Sequence, residues 1–391
     1  MYSLRKMLAV MWIACLAVPQ FAFAQAAQVT LAGLAFAGDA ASLDQRFPYS
    51  RKYEAELNRS ATKAYQLIKS DIDRTPPQHL ELSSGQIDEL KGRDQALVTS
   101  LVITSETVSV EQFGEVRKLF VLIRGQALFF DFKSMTVVRA YPLSFAYIDV
   151  FDRQPTDAEV LQRVRAIYEG TPTKPGIFAR YANVLSTATV PAQVAKFIQI
   201  TDVNLSPDLQ AVLPPYLKSA PGVAETWAAD LVSEAISSKT GVPMVPYTKG
   251  YAVGNVMPMR VSDGAVYTLA LPEPDYKISV DLTGVKKVKF GESAAGTSFI
   301  YGTYAKVRIQ EPLSGTTYLD STFKNGEVKA VPVTQTSVDD FPAYYDSVNG
   351  LFKKLAGAMA GDSGDWLKSA AGAADISAQI SKTQTLLNSC K

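Results

Sequence analysis

The chain has 391 residues, 47% of them hydrophobic and 20% charged, with 39 basic and 38 acidic side chains. That length and apolar content suit globular structure with more than one core. Balanced charge without a long like-charge block argues against a nucleic-acid partner and against a polybasic membrane anchor.

The first residues read as a targeting segment. Arg5 and Lys6 precede an apolar stretch over 7–18, and Ala22-Phe23-Ala24 is a small-x-small cleavage site. A signal peptide over 1–24 is expected, with a mature chain starting at Gln25. The protein is then exported, with the periplasm first and the cell surface or medium as alternatives. The rival is a lipid anchor on Cys15, but Trp12 stands where such a box wants a Leu. Cleavage removes Cys15 and leaves Cys390 as the one cysteine, so no internal disulfide is available. Cys390 is penultimate and reads as a thiol at a frayed end. No mature stretch reaches the roughly 18 apolar residues that a spanning helix needs.

Residues 29–36 read as a buried strand. A helix is expected over 51–70, with Tyr53, Leu57, Ala61, Ala64 and Ile68 on one face and Ser50 as N-cap. Pro76 and Pro77 prevent its continuation. A strand over 79–82 and a short helix over 84–91 follow. Residues 96–151 form the densest strand signal, a succession of β-branched and aromatic runs with Lys133-Ser134-Met135 as a hairpin turn. Thr156 and Glu159 predict a capping box for a helix over 156–168, and 177–185 is helical again.

A second series then begins. A strand over 197–205 and a Pro-rich loop lead to a helix over 223–238, closed by Gly241. A second meander is expected over 266–271, 276–290, 298–310 and 316–323. In it Tyr276, Ile278, Val280 and Leu282 alternate strictly. Asn325-Gly326 is a turn signal. A helix from Phe341, with Pro342 in its first turn, ends at Gly361, and another runs over 365–387.

Each half thus runs strand, helix, meander, helix, as an internal duplication would produce. The expected fold class is α+β: two antiparallel sheets (meanders), each flanked by helices, with a helical C-terminus. The expected units are 25–155, connecting helices over 156–194, a second α+β domain over 195–338 and C-terminal helices over 339–391. The order resembles that of the amino-terminal domains of some periplasmic TolB-type proteins, and the resemblance is one of order alone.

Candidate chemistry is sparse. His79 is the one histidine, and a metal site would need further ligands at fixed spacing. Neither metal nor cofactor is expected. Ser363, in Gly361-Asp362-Ser363-Gly364, would need His79 as its base, but the segment reads as an interhelical turn. Asp71 with Asp73, and Asp339 with Asp340, are the nearest carboxylate pairs. Both pairs occupy ordinary loop and cap positions. The segment 250–254 lacks the Lys and the third Gly of nucleotide-binding loops.

The expected function is a non-catalytic exported protein that binds another envelope component, with an envelope protein as partner. The alternative is an exported hydrolase using paired carboxylates. One stretch, 241–260, is the candidate contact site, and Tyr247, Tyr251, Met257 and Met259 are its expected partner-binding residues. Tyrosine offers a large face with a polar tip, and methionine adapts to irregular surfaces. The competing reading places the same residues in a core.

Overall fold

The computed structural model describes residues 26–83, 96–190, 196–247, 256–262, 264–335, 338–362 and 365–391. The expected cleavage site, the helix over 84–91 and the segment 250–254 lie outside them. Strand β1 (Ala27–Ala37) leads into helices α1 (Leu43–Arg46), α2 (Pro48–Arg59) and α3 (Ala64–Arg74) and a short strand β2 (Leu80–Ser83). One helix was expected where α2 and α3 stand. Pro48 starts α2 with Phe47 at the N-cap position, and the Lys63 amide opens α3 by donating to Gln66 Oε1 at 2.8 Å. Ser50 therefore lies inside α2, where its hydroxyl accepts from Tyr168 Oη at 2.8 Å.

Three long strands follow: β3 (Leu97–Phe113), β4 (Val116–Asp131) and β5 (Thr136–Phe151). They form the expected antiparallel meander, and Met135 takes a positive φ in the β4–β5 turn. Helix α4 (Asp157–Glu169) has the predicted capping box. The Thr156 amide donates to Glu159 Oε2 at 2.8 Å, and the Glu159 amide donates to Thr156 Oγ1 at 3.3 Å. A two-residue hairpin, β6 (Gly170–Thr171) with β7 (Lys174–Pro175), separates α4 from α5 (Ile177–Thr187).

The second series is β8 (Ile198–Leu205), α6 (Pro207–Val212) and α7 (Val223–Thr240), which ends at left-handed Gly241. Five strands come next: β9 (Val256–Val261), β10 (Val266–Ala270), β11 (Tyr276–Ser293), β12 (Gly296–Glu311) and β13 (Thr316–Pro332). Helices α8 (Phe341–Ala360), α9 (Asp365–Ala370) and α10 (Ile376–Ser389) complete the described chain.

The fold is α+β, but neither large sheet is purely antiparallel. The first has the order β2-β1-β3-β4-β5-β10-β9, and the second β13-β12-β11-β8. β1 runs parallel to β2 and β3, and β8 runs parallel to β11. A strand reached through a helical crossover returns in the same direction, which a reading by adjacent hairpins overlooks. The two series nonetheless share one topology, with the leading strand beside the first strand of its meander.

The segment at β10 was read with the second meander, yet it belongs to the first sheet. β9 also pairs antiparallel with β1, Ala35–Ala37 against Met259–Val261, so β1, β3, β4, β5, β10 and β9 close into a ring. Alternate residues fill it: Ala35, Val98, Val102, Leu128, Phe130, Met257, Met259 and Leu269 share one buried cluster. Their neighbours Phe36, Leu101, Ile103 and Phe129 face a second cluster with Tyr53, Ile68, Val164 and Phe178 from the helices. The second sheet packs Ile278, Val280, Val307 and Phe323 against Trp227, Leu351 and Phe352.

Three local expectations are corrected by this packing. Asn325-Gly326 lies inside β13, because the Asn325 side chain is buried and donates to the Ser347 carbonyl at 3.0 Å. The helix over 365–387 breaks after Ala370, where Ala371 bridges Phe323 and the Gly372 amide donates to the Thr322 carbonyl at 2.8 Å. The expected frayed end is docked. Cys390 is 1% exposed, and its carbonyl accepts from Arg139 Nη1 at 2.6 Å.

Candidate functional site

Of the expected contact residues, Met257 and Met259 lie inside the ring at 0% exposure. Tyr247 is 2% exposed in the second core, and Tyr251 lies outside the described residues. The strand period explains this, since 257, 259 and 261 project inward from β9. Burial of that degree leaves Tyr247, Met257 and Met259 no surface to offer a partner.

The candidate catalytic groups are scattered. His79 is exposed, and its carbonyl accepts from the Ala27 amide at 3.2 Å. Asp71 pairs with Arg74, and Asp73 pairs with Lys69 at 2.6 Å. Asp339 pairs with Lys118, while Asp340 takes Lys287 at 2.8 Å and the Tyr301 hydroxyl at 2.5 Å. Every carboxylate of the two pairs is thus held in an ion pair. Ser363 lies outside the described residues. Among the described residues no group of three or more His, Cys, Asp or Glu is placed to hold a metal ion.

What the fold does create is a cleft between the two halves. β5 has β4 on one side, but on the other it meets β10 only at Thr136. Among the described residues its outer part has no strand neighbour, and helix α7 packs across it. Arg124, on β4, reaches over to α7, with Nη1 3.3 Å from Asp230 Oδ2 and Nη2 3.5 Å from the Trp227 carbonyl. One turn on, Glu234 accepts from the Ser144 amide at 3.3 Å and from the Ser144 hydroxyl. Burial pushes the Asp230 carboxyl up to about 6 against the opposing pull of Arg124. Burial also raises Glu234, with the Ser144 hydroxyl and the Arg124 cation working the other way.

Beyond this joint the cleft opens to a volume of about 1050 Å³. That matches the upper end of ordinary ligand sites, about 300–1,000 Å³. Its floor includes Pro142, Ser144 and Ala146 of β5, and its walls come from α5, α7 and α8. Four cations line it: Arg180, Lys239, Lys353 and Lys391. Its one side-chain carboxylate among the described residues is Glu234, already bonded to Ser144. Lys239 also borders two smaller cavities of about 340 and 200 Å³.

The sequence reading missed these residues. A signal was present, since Arg124 interrupts the apolar runs 119–123 and 127–130, and Asp230 and Glu234 stand one turn apart among the largely apolar residues 227–236. A charge inside a buried run implies a partner from elsewhere. Only the fold says which partner.

No family model and no curated protein matches the chain. Among solved structures with some likeness to part of the chain are two of bacterial proteins. A Xanthomonas campestris protein of the DUF330 family is 12% identical, with 44% of this chain and 86% of that chain covered and a TM-score of 0.21. A putative neuraminyllactose-binding hemagglutinin homolog from Helicobacter pylori is 9% identical, with 45% and 90% covered and a TM-score of 0.23. At such TM-scores neither likeness carries an argument about function. No described helix is long and apolar enough to cross a membrane.

Proposed function

We propose that this is an exported, non-catalytic protein that binds another envelope protein in the cleft between its two halves. One observation supports it above the others: a cleft of about 1050 Å³ lined by four cationic side chains, whose one described side-chain carboxylate is already engaged. Hydrolysis by paired carboxylates needs two such groups flanking one bond. The pairs singled out in the sequence are instead spent on ion pairs outside the cleft. Export itself rests on the amino-terminal charge and apolar pattern.

A photo-crosslinking residue placed at Asn349, in the cleft wall, tests the reading in producing cells. A matched residue at Ser70, on the exposed side of α3, serves as control. A discrete protein adduct is expected from position 349 and not from position 70, weakened in Lys239→Glu/Lys353→Glu. Equal labelling from both positions, or no adduct from 349, overturns the reading.

A further inference from the structure

Among the described residues the outer part of β5 is an unpaired strand edge, and its polarity can be read from two hydrogen bonds. The Ser144 amide donates to Glu234 at 3.3 Å, and the Val150 amide donates to Asp149 Oδ1 at 2.9 Å. Both bonds are made outside the β4–β5 ladder. In an antiparallel pair, residues alternate between exchanging hydrogen bonds with the partner strand and turning those groups away. Residues 144, 146, 148 and 150, opposite Arg124, Leu122, Phe120 and Lys118, therefore direct their N–H and C=O groups to the free edge. Side chains two apart share a face. Ala146 is exposed, Ile148 is 55% exposed and Val150 is 58% exposed. The edge thus offers a row of backbone donors and acceptors with an apolar strip beside it, a template for another strand.

This edge runs into the cationic cleft, since Ser144 and Ala146 line the same cavity as Arg180, Lys239, Lys353 and Lys391. Among the described residues Lys239, Lys353 and Lys391 form no ion pair. The carboxy-terminal ends of α5 and α7, at Thr187 and Thr240, also border the cavity. Each supplies about half a negative charge, which offsets only part of four positive ones. A second copy of the chain pairing edge to edge would set these cations against their own duplicates.

Resting on the binding reading above, we infer that the occupant of the cleft is an extended, acidic segment of the partner protein that adds as a strand to the outer edge of β5. Main-chain hydrogen bonds to 146 and 148 hold it, and its carboxylates meet the four cations. This is β-augmentation with electrostatic selection.

The test uses the whole protein and a fluorescent peptide of alternating Glu and Val. Two controls go with it: the same peptide N-methylated at every residue, and an alternating Lys–Val peptide. Binding read by anisotropy should be about tenfold or more weaker for the N-methylated peptide, which cannot donate to a strand edge. It should be absent for the Lys–Val peptide and weakened by Lys239→Glu/Lys353→Glu. Hydrogen exchange should slow at the 146 and 148 amides when the Glu–Val peptide is added, a readout that needs no variant. Equal binding of the N-methylated peptide, slowing confined to other strands, or protection explained by self-association of the chain overturns the inference. If the crosslink at 349 captures a partner while 146 and 148 stay unprotected, the strand inference falls and the binding reading stands. If no adduct forms at 349, the binding reading itself falls.

Discussion

The two halves run the same series and end their sheets differently. In the first, β1 lies parallel beside β3, and its other side is taken by β2 and by β9, a strand from after α7. In the second, β8 lies parallel beside β11, and the far edge, β13, is met at Phe323 and Thr322 by the chain after α9. One sheet closes into a ring and the other stays open under helices. An unpaired edge is a liability in any sheet, and the comparison shows two ways of managing it on one topology. It also shows where, among the described residues, management stops: at the outer part of β5, which forms the floor of the cleft.

The contrast can be broken first at the ring. Met257→Ala or Met259→Ala should cost about 2–5 kcal/mol, because a buried side chain is lost and its cavity stays lined by the first half's strands. Denaturant unfolding of each variant measures it. A cost near zero would mean that the β9–β10 hairpin is not part of the first core.

A smaller effect is expected in the open sheet. Asn325 donates to the Ser347 carbonyl at 3.0 Å and accepts from Lys354 Nζ at 2.7 Å, tying β13 to α8. Asn325→Ala should cost about 1–3 kcal/mol, since that carbonyl loses its buried donor. Melting unchanged from the parent chain would show that α8 is held on the sheet without this side chain.

The joint between the halves gives the smallest change, one in pH dependence. Burial raises the Asp230 carboxyl from 3.8 to about 6. Between those values the unfolded chain has lost a proton that the fold retains, so stability falls as pH rises through the window. Glu234 is shifted in the same direction and adds to that slope. Asp230→Asn should flatten the slope without removing it. An identical slope in the variant would mean that Asp230 titrates normally in the fold.

Much of the fold was legible locally. The Thr156–Glu159 capping box, the left-handed stop at Gly241 and the turn at Lys133-Ser134-Met135 each depend on a few neighbouring residues, and each appears where the sequence puts it. The strict alternation from Tyr276 to Leu282 likewise gives a strand with one buried face. Other signals were local and were overruled. Asn325-Gly326 has the composition of a turn, yet cross-strand pairing and one buried amide keep β13 extended through it. The apolar stripe after Trp366 has the period of one helix, yet the edge of β13 draws the chain out at 371–372.

By itself, then, the sequence determined most of the long strands and helices, the α+β class and the repeated order of elements, because those follow from period, caps and side-chain shape within a few residues. It also separated core from surface along the strand from Tyr276 to Leu282. The tertiary structure alone decided that the β9–β10 hairpin joins the first sheet, that Met257 and Met259 line a ring, and that Arg124 meets Asp230. It alone gathered Arg180, Lys239, Lys353 and Lys391, residues spread over more than two hundred positions, around one free strand edge. Local preferences act over a turn or two of chain. Strand partners and charge neighbours are chosen by which surfaces must be covered once the whole chain has collapsed, and no short window of sequence contains that choice.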